Sequence, residues 1–138
     1  MLARRYDPPV PLAALLLVAA NFFFHTPSKN IYCGYTDYPG QGGPSLRCDI
    51  RSGLRPPLPS KPPGCDTDWS TSLELRPTGR GYVLCAGDSI FNPRARTLAY
   101  GTTWRGGGFA CTSRTTGLTC TNKQRHGFFL AWGRWRVF

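Results

Sequence analysis

Two sets of side chains in this sequence are of the types that hydrolytic enzymes use. Ser89, within the block AGDSI at 86–90, can act as a nucleophile if His126 accepts its proton. Asp66 and Asp68 can form an acid–base pair, because side chains two positions apart point to the same face of a strand. Either set would make the protein a small secreted hydrolase.

The residues around these sets favour structural roles for them. The Ser89 block resembles the nucleophile block of SGNH-type esterases. That resemblance implies a larger α/β domain and an aspartate three residues before the histidine, where this chain has Lys123. A glycine–aspartate turn after a strand explains the block without catalysis. Acidic residues are few in so basic a chain, so each is expected to pair with an arginine or to cap a turn. We therefore predict that the protein is not an enzyme.

Six cysteines are the other chemically distinctive residues. No two of them form a C-x-x-C motif, and His25 and His126 are far apart in the chain, so the spacing does not fit a zinc site. An even number of cysteines in an exported chain predicts disulfides, with no metal or other cofactor. The six residues are Cys33, Cys48, Cys65, Cys85, Cys111 and Cys120.

Turn-forming residues favour one disulfide most clearly. Cys111 and Cys120 flank the turn 114–117, and joining them places Ser113 opposite Leu118 around a loop. The pattern therefore predicts a hairpin that carries its own cross-strand disulfide.

The other two disulfides follow with less local information. The pair Cys33–Cys48 brackets the loop 38–44, which is rich in glycine and proline. The pair Cys65–Cys85 then remains by elimination, although sequence alone leaves other pairings open. This third bridge would tie an incoming loop to a strand.

The elements that must position these residues are short strands. The chain has 16 Gly and 13 Pro, which interrupt it too often for long helices, and β-branched and aromatic residues recur between the interruptions. We predict one small all-β domain over 21–138, a sandwich or a partly open barrel of short antiparallel strands held by disulfides. The proline-rich stretch 55–64 is expected to be an extended connector on the surface.

The start of the chain has the pattern of an export signal. Arg4 and Arg5 precede an apolar run over 10–24, and small residues end with Ala20. We predict a signal helix over 1–20, cleaved after Ala20, and a secreted or cell-envelope location outside the cytoplasmic membrane. The alternative is an uncleaved anchor, which would make the protein a membrane-anchored accessory subunit.

Charge gives the most usable functional signal. The sequence has 17 Lys and Arg against 7 Asp and Glu, a formal net charge of +10. Such a chain is drawn to anionic surfaces by long-range attraction. Outside the cytoplasm, the expected partners are an anionic cell-wall polymer, an anionic lipid surface or an envelope protein. The single RGG unit at 105–107 is expected to be a turn, and no nucleic acid is predicted as a partner.

Aromatic and basic residues alternate near the C-terminus. We predict one terminal strand, with a bulge at Gly133, that sends its arginines to one face and its apolar side chains to the other. The favoured interpretation is a terminal core strand with a solvated basic face, and the alternative is a basic and aromatic surface made together with Trp104 and Trp132. The predicted binding residues, which would stack on sugar rings or dock at a membrane interface, are Trp104, Arg105, Trp132, Arg134, Trp135 and Arg136.

Several motifs in fixed order resemble a family of small actinobacterial exported proteins that carry a domain of unknown function. The motifs are TPSKNIYC at 26–33, LRCDI at 46–50, CAGD at 85–88, GLTCTN at 117–122 and HGFFL at 126–130. Lys29 departs from the pattern, which has glycine there. The resemblance implies an exported compartment and a disulfide pattern, and it transfers no functional residues.

Overall fold

The computed structural model describes residues 21–38, 40 and 42–138. The predicted signal helix over 1–20 lies outside these residues. Within them the chain forms eleven short strands. No helix in this described part is long and apolar enough to cross a membrane.

All eleven strands are two to six residues long and alternate with turns, as the glycine and proline content predicts. In chain order they are β1 Phe22–His25, β2 Ile31–Thr36, β3 Ser45–Ile50, β4 Ser72–Leu75, β5 Tyr82–Val83, β6 Arg96–Thr97, β7 Thr103–Gly106, β8 Phe109–Arg114, β9 Gly117–Thr121, β10 Gly127–Leu130 and β11 Trp135–Val137.

Six strands form a first sheet in the order β5-β4-β3-β2-β1-β6. All neighbours are antiparallel except β1 and β6, which are parallel. The loop 37–44 joins β2 to β3 and sets Cys33 directly opposite Cys48, and the two form a disulfide, as predicted. The turn residues thus fix the register, and the register brings the two sulfurs together.

Five strands form a second sheet in the order β11-β10-β9-β8-β7, so each strand pairs with its neighbour in the chain. The predicted hairpin is present, with Ser113 opposite Leu118 and a Cys111–Cys120 disulfide. Pairing extends one residue further than predicted, to Arg114 opposite Gly117, so the turn itself has only two residues. Gly117 permits this because its φ of 146° is one that other residues rarely adopt.

The C-terminal segment folds back on itself, and the predicted single strand with a bulge at Gly133 is wrong. Strands β10 and β11 form an antiparallel hairpin, with Leu130 opposite Trp135. Folding back lets both halves bury alternate side chains in one core, which a single strand running out of the sheet would not do. The predicted alternation still holds in β11, where Arg136 is exposed and Trp135 and Val137 pack against the core.

The two sheets share one hydrophobic core. Leu46, Leu73 and Leu75 of the first sheet are fully buried in the same cluster as Phe128 and Leu130 of the second. Burial of this apolar surface is the main force holding the sheets together. The all-β prediction is confirmed, and two separate sheets around a common core correspond to its sandwich form.

Two further links join the parts of the chain. The Cys65–Cys85 disulfide ties the segment after the proline-rich stretch to the residues that follow β5, which confirms the third pairing. The buried Asn122 donates hydrogen bonds from Nδ2 to the backbone oxygens of Arg76 and Gly79, at 3.0 and 2.9 Å. One side chain of the second sheet therefore holds the β4–β5 turn of the first.

Candidate functional site

A cleft of about 580 Å³ opens where one end of each sheet meets the other. Three turns line it: β1–β2 from the first sheet, and β8–β9 and β10–β11 from the second. Both second-sheet turns lie at the same end because successive antiparallel strands alternate in direction. We call this space the end cleft. Its volume falls within the roughly 300–1,000 Å³ typical of small-ligand sites.

Two aromatic side chains stand at the end cleft with much of their surface accessible. Trp132, in the β10–β11 turn, is 66% exposed, and Tyr100 is 44% exposed. The Arg55 guanidinium carbon lies 5.5 Å from the centroid of a Trp132 ring, a cation–π distance. Single exposed aromatics are ordinary on protein surfaces, but two in one concave site can hold a flat or cyclic ligand.

Two arginines, Arg114 and Arg134, also line the end cleft. The Arg134 guanidinium carbon lies 4.9 Å from the Phe129 ring centroid, and neither arginine takes part in an ion pair among the described residues. Their guanidinium groups are therefore free to form paired hydrogen bonds with a carboxylate or a phosphate.

Small residues separate the two arginines. Arg114 pairs with Gly117 across β8 and β9, and Ala131 donates a backbone hydrogen bond to Arg134 across the next turn. A Cβ at Gly117 would meet the Phe129 ring at 2.5 Å, so no larger residue fits there without a shift. The glycine thus lets the Phe129 ring pack on the strand, and the Arg134 guanidinium lies against the same ring.

The outward face of the second sheet adds hydroxyl groups to the basic side chains. One register row crosses all five strands and carries three threonines, then an aromatic residue, then an arginine. Its members are Thr103, Thr112, Thr119, Phe129 and Arg136. The hydroxyls of Thr103 and Thr112 are 2.7 Å apart and hydrogen-bonded to each other. This row gives the face three hydroxyl groups and one guanidinium group, with the Phe129 ring between them.

Basic residues are distributed unevenly along the chain. No acidic residue follows Asp88, whereas eight basic residues do. They are Arg94, Arg96, Arg105, Arg114, Lys123, Arg125, Arg134 and Arg136. The second sheet therefore has no acidic side chain of its own to neutralise it.

The first sheet uses its charges differently. Arg47 Nε donates to Asp49 at 2.8 Å and Arg47 Nη1 to Asp88 at 2.9 Å, while the backbone N–H of Ile90 donates to Asp49. The Arg47 hydrogen bond and charge hold the pKa of the Asp88 carboxyl below its ordinary value. Burial lowers the pKa of Arg47, but its hydrogen bonds to the two aspartates outweigh this and raise it. These contacts fasten the segment around Asp88 over the outer face of the sheet.

The structure brings some of the predicted binding residues together and separates the others. Trp132 and Arg134 line the end cleft. Trp104 lies on β7, at the opposite edge of the sheet from β11, and stacks on Phe22 with ring centroids 5.5 Å apart. The exposed Arg105 follows it on β7.

The remaining predicted residues lie on β11, beside the cleft. Trp135 packs against the core, and its indole Nε1 donates to the backbone oxygen of Pro56 at 2.9 Å, which attaches the proline-rich stretch 55–64 to the second sheet. Arg136 is exposed, with its guanidinium carbon 4.8 Å from the Phe138 ring centroid. Sequence reasoning missed Tyr100 and Arg114. The signal that pointed to them is the run of basic and aromatic residues without any acid after Asp88.

The predicted catalytic candidates lie on different parts of the fold. Ser89 follows β5, where its hydroxyl accepts a hydrogen bond from the N–H of Phe91. His126 lies between β9 and β10, where its backbone N–H donates to Asn122. No hydrogen bond among the described residues joins the Ser89 and His126 side chains.

The second predicted pair lies elsewhere. Asp66 and Asp68 are exposed, and Asp68 forms an isolated backbone bridge with Ala86. The described residues also contain no cluster of three or more metal-ligating side chains.

Comparison with known proteins identifies the family and nothing beyond it. Residues 9–138 match a family described as a family of unknown function, DUF6636, and the chain belongs to that family. None of the curated proteins matches the chain. None of the solved structures matches it either.

Proposed function

We propose that this member of the DUF6636 family is a non-catalytic exported protein that associates with the cell envelope by binding an anionic polymer. Three disulfides in so small a domain are typical of proteins in an oxidising, extracellular setting. The observation that carries the proposal is the charge of the second sheet, where exposed arginines have no acidic residue near them in the sequence.

The polymer would lie on the outward face of the second sheet and in the end cleft. Arg105, Arg114 and Arg136 are exposed on this side and belong to none of the ion pairs within the described residues. Their charges thus add little to folding and remain available to an external anion. Several like charges on one face raise the local concentration of a polyanion and speed its association. The threonine hydroxyls add hydrogen-bonding groups between the arginines.

Co-sedimentation of the purified protein with anionic cell-wall polymer tests the proposal. We expect binding at about 50 mM salt that weakens steeply towards about 500 mM, because the Debye length shortens over that range. Replacing Arg105→Gln and Arg136→Gln together should lower the bound fraction several-fold.

A charge-matched variant separates this face from net charge. Arg51→Gln with Lys61→Gln removes the same two charges, in the first half of the chain, and should leave most of the binding intact. Binding that ignores salt, or an equal loss in both double variants, would overturn the proposed electrostatic face.

A further inference from the structure

We infer that the end cleft is a subsite for one acidic sugar unit of that polymer, with the sugar ring against Trp132 and its carboxylate or phosphate held by Arg114 and Arg134. This inference rests on the proposed function and names the chemistry of one site within it. The ligand class is a glycan whose units carry a negative charge.

The arginine spacing sets the size of the unit. Arg114 lies on β8 and Arg134 just before β11, so three strand spacings of about 4.8 Å separate their backbones, roughly 14 Å in all. Gly117 and Ala131 line the cleft between them, and the Phe129 ring packs on Gly117 next to the Arg134 guanidinium. A span of this size between the backbones of two cleft-lining arginines suits a single ring with a charged substituent.

The aromatic residues at the end cleft favour a charged sugar as its ligand over a small inorganic or carboxylate anion. Trp132 and Tyr100 offer apolar surface, which neither free phosphate nor carboxylate can use, whereas the C–H face of a pyranose can pack on it. The β8–β9 turn adds the exposed hydroxyls of Thr115 and Thr116, which suit ring hydroxyls. Aromatic rings, guanidinium groups and hydroxyl groups thus occur together in one cleft.

Phe91 provides a matched aromatic control elsewhere on the molecule. It is 42% exposed, and the Arg51 guanidinium carbon lies 5.6 Å from its ring, which closely resembles the Arg55–Trp132 arrangement. Phe91 lies against the outer face of the first sheet, through an edge contact with Tyr32 at 5.2 Å. A change at Phe91 therefore removes a similar aromatic group without touching the cleft.

Calorimetric titration of the purified protein, with its disulfides intact, tests the inference with a trimer of uronic acid as the probe. The trimer should bind the wild type, and Trp132→Ala should weaken binding by about tenfold or more. Trp132→Phe should retain most of the affinity, which shows that loss in the alanine variant is not misfolding. The double change Arg114→Gln and Arg134→Gln should also abolish most binding, whereas Phe91→Ala should leave it within about twofold.

Two further probes identify which chemistry is recognised. A neutral trimer of the same sugar and linkage should bind at least about tenfold more weakly, and equal binding of both trimers would overturn the role of the arginines. A glycerol-phosphate oligomer carries charge without a sugar ring. If it binds as tightly as the uronic acid trimer and Trp132→Ala leaves its binding unchanged, the sugar subsite is wrong.

The inference and the proposed function fail differently. If Trp132→Ala binds the trimer like the wild type while polymer still co-sediments in a salt-dependent way, the end cleft is not the subsite and the polymer-binding function stands. If the wild type binds neither polymer nor trimer at low salt, the proposed function itself is wrong.

Discussion

The two sheets of this sandwich differ in what their arginine side chains contact. In the first sheet arginine and acidic side chains satisfy one another, as in the Arg47–Asp49–Asp88 network and the Arg76–Glu74 pair. In the second sheet arginines have no acidic neighbour along the strands and pack instead against aromatic rings such as Phe129. Charge in the first sheet is used in ion pairs that hold the fold, whereas the arginines of the second sheet form no ion pair among the described residues.

Arg47 offers the sharpest way to break this comparison. Its side chain is 14% exposed, and its partner Asp49 is buried, so Arg47→Met would leave a buried carboxylate without its cation. Loss of one member of such a pair costs about 3–5 kcal/mol of unfolding free energy. Urea denaturation followed by tryptophan fluorescence measures the change.

Arg105→Met is the matched change in the second sheet. Arg105 is exposed, and no hydrogen bond or ion pair among the described residues involves its side chain. We expect its unfolding free energy to stay within about 0.5 kcal/mol of the wild type. Similar losses at Arg47 and Arg105 would remove the distinction between the two sheets.

Asn122 joins the two sheets through hydrogen bonds of an uncharged side chain, and its replacement tests that link. Its side chain is 5% exposed and bonds two backbone oxygens of the first sheet's β4–β5 turn and two N–H groups in its own turn. Asn122→Ala leaves these groups without that partner and should cost about 2–3 kcal/mol. The same denaturation measurement applies.

Gln124→Ala is the control for Asn122. Gln124 is exposed and accepts one hydrogen bond, from the N–H of Gly79, so its loss should cost no more than about 1 kcal/mol. If both variants are equally stable, Asn122 does not hold the sheets together.

The smallest expected effect is the acid dependence of the first sheet. Arg47 holds the pKa of Asp88 below its ordinary value of 3.8, so the contact stabilises the fold above that pH and its contribution is lost as pH falls through the lower, folded-state pKa. Asp88→Asn should therefore be slightly less stable than the wild type near neutral pH and equal to it in strong acid. A gap between the two proteins that widens on acidification would contradict this assignment.

Much of the fold could be predicted from local sequence. The Cys111–Cys120 hairpin and the Cys33–Cys48 hairpin follow from turn residues placed between cysteines, because a short turn fixes the register of the two strands it joins. The C-terminal hairpin was missed, because alternation in a strand is the same whether the chain continues or folds back. The glycine at 133 permits either.

The candidate site was predicted only in part. Trp132 and Arg134 stood out by type, but Trp104 stood out equally and stacks between the sheets on Phe22. Periodicity shows that a side chain lies on one face of a strand, and it does not show which sheet packs on that face. Tyr100 and Arg114 line the end cleft because the ends of the two sheets meet there, and no local pattern encodes that meeting.

The sequence by itself determined the all-β class, the two hairpin disulfides and the absence of acidic residues after Asp88, because each depends on residue types and short spacings. It favoured the Cys65–Cys85 pair only by elimination, and the structure decided it. Tertiary structure alone decided which charges are neutralised and which aromatic residues stay exposed. The reason is physical: ion pairing and burial depend on distances between chain segments, and those distances exist only after the two sheets have packed around their common core.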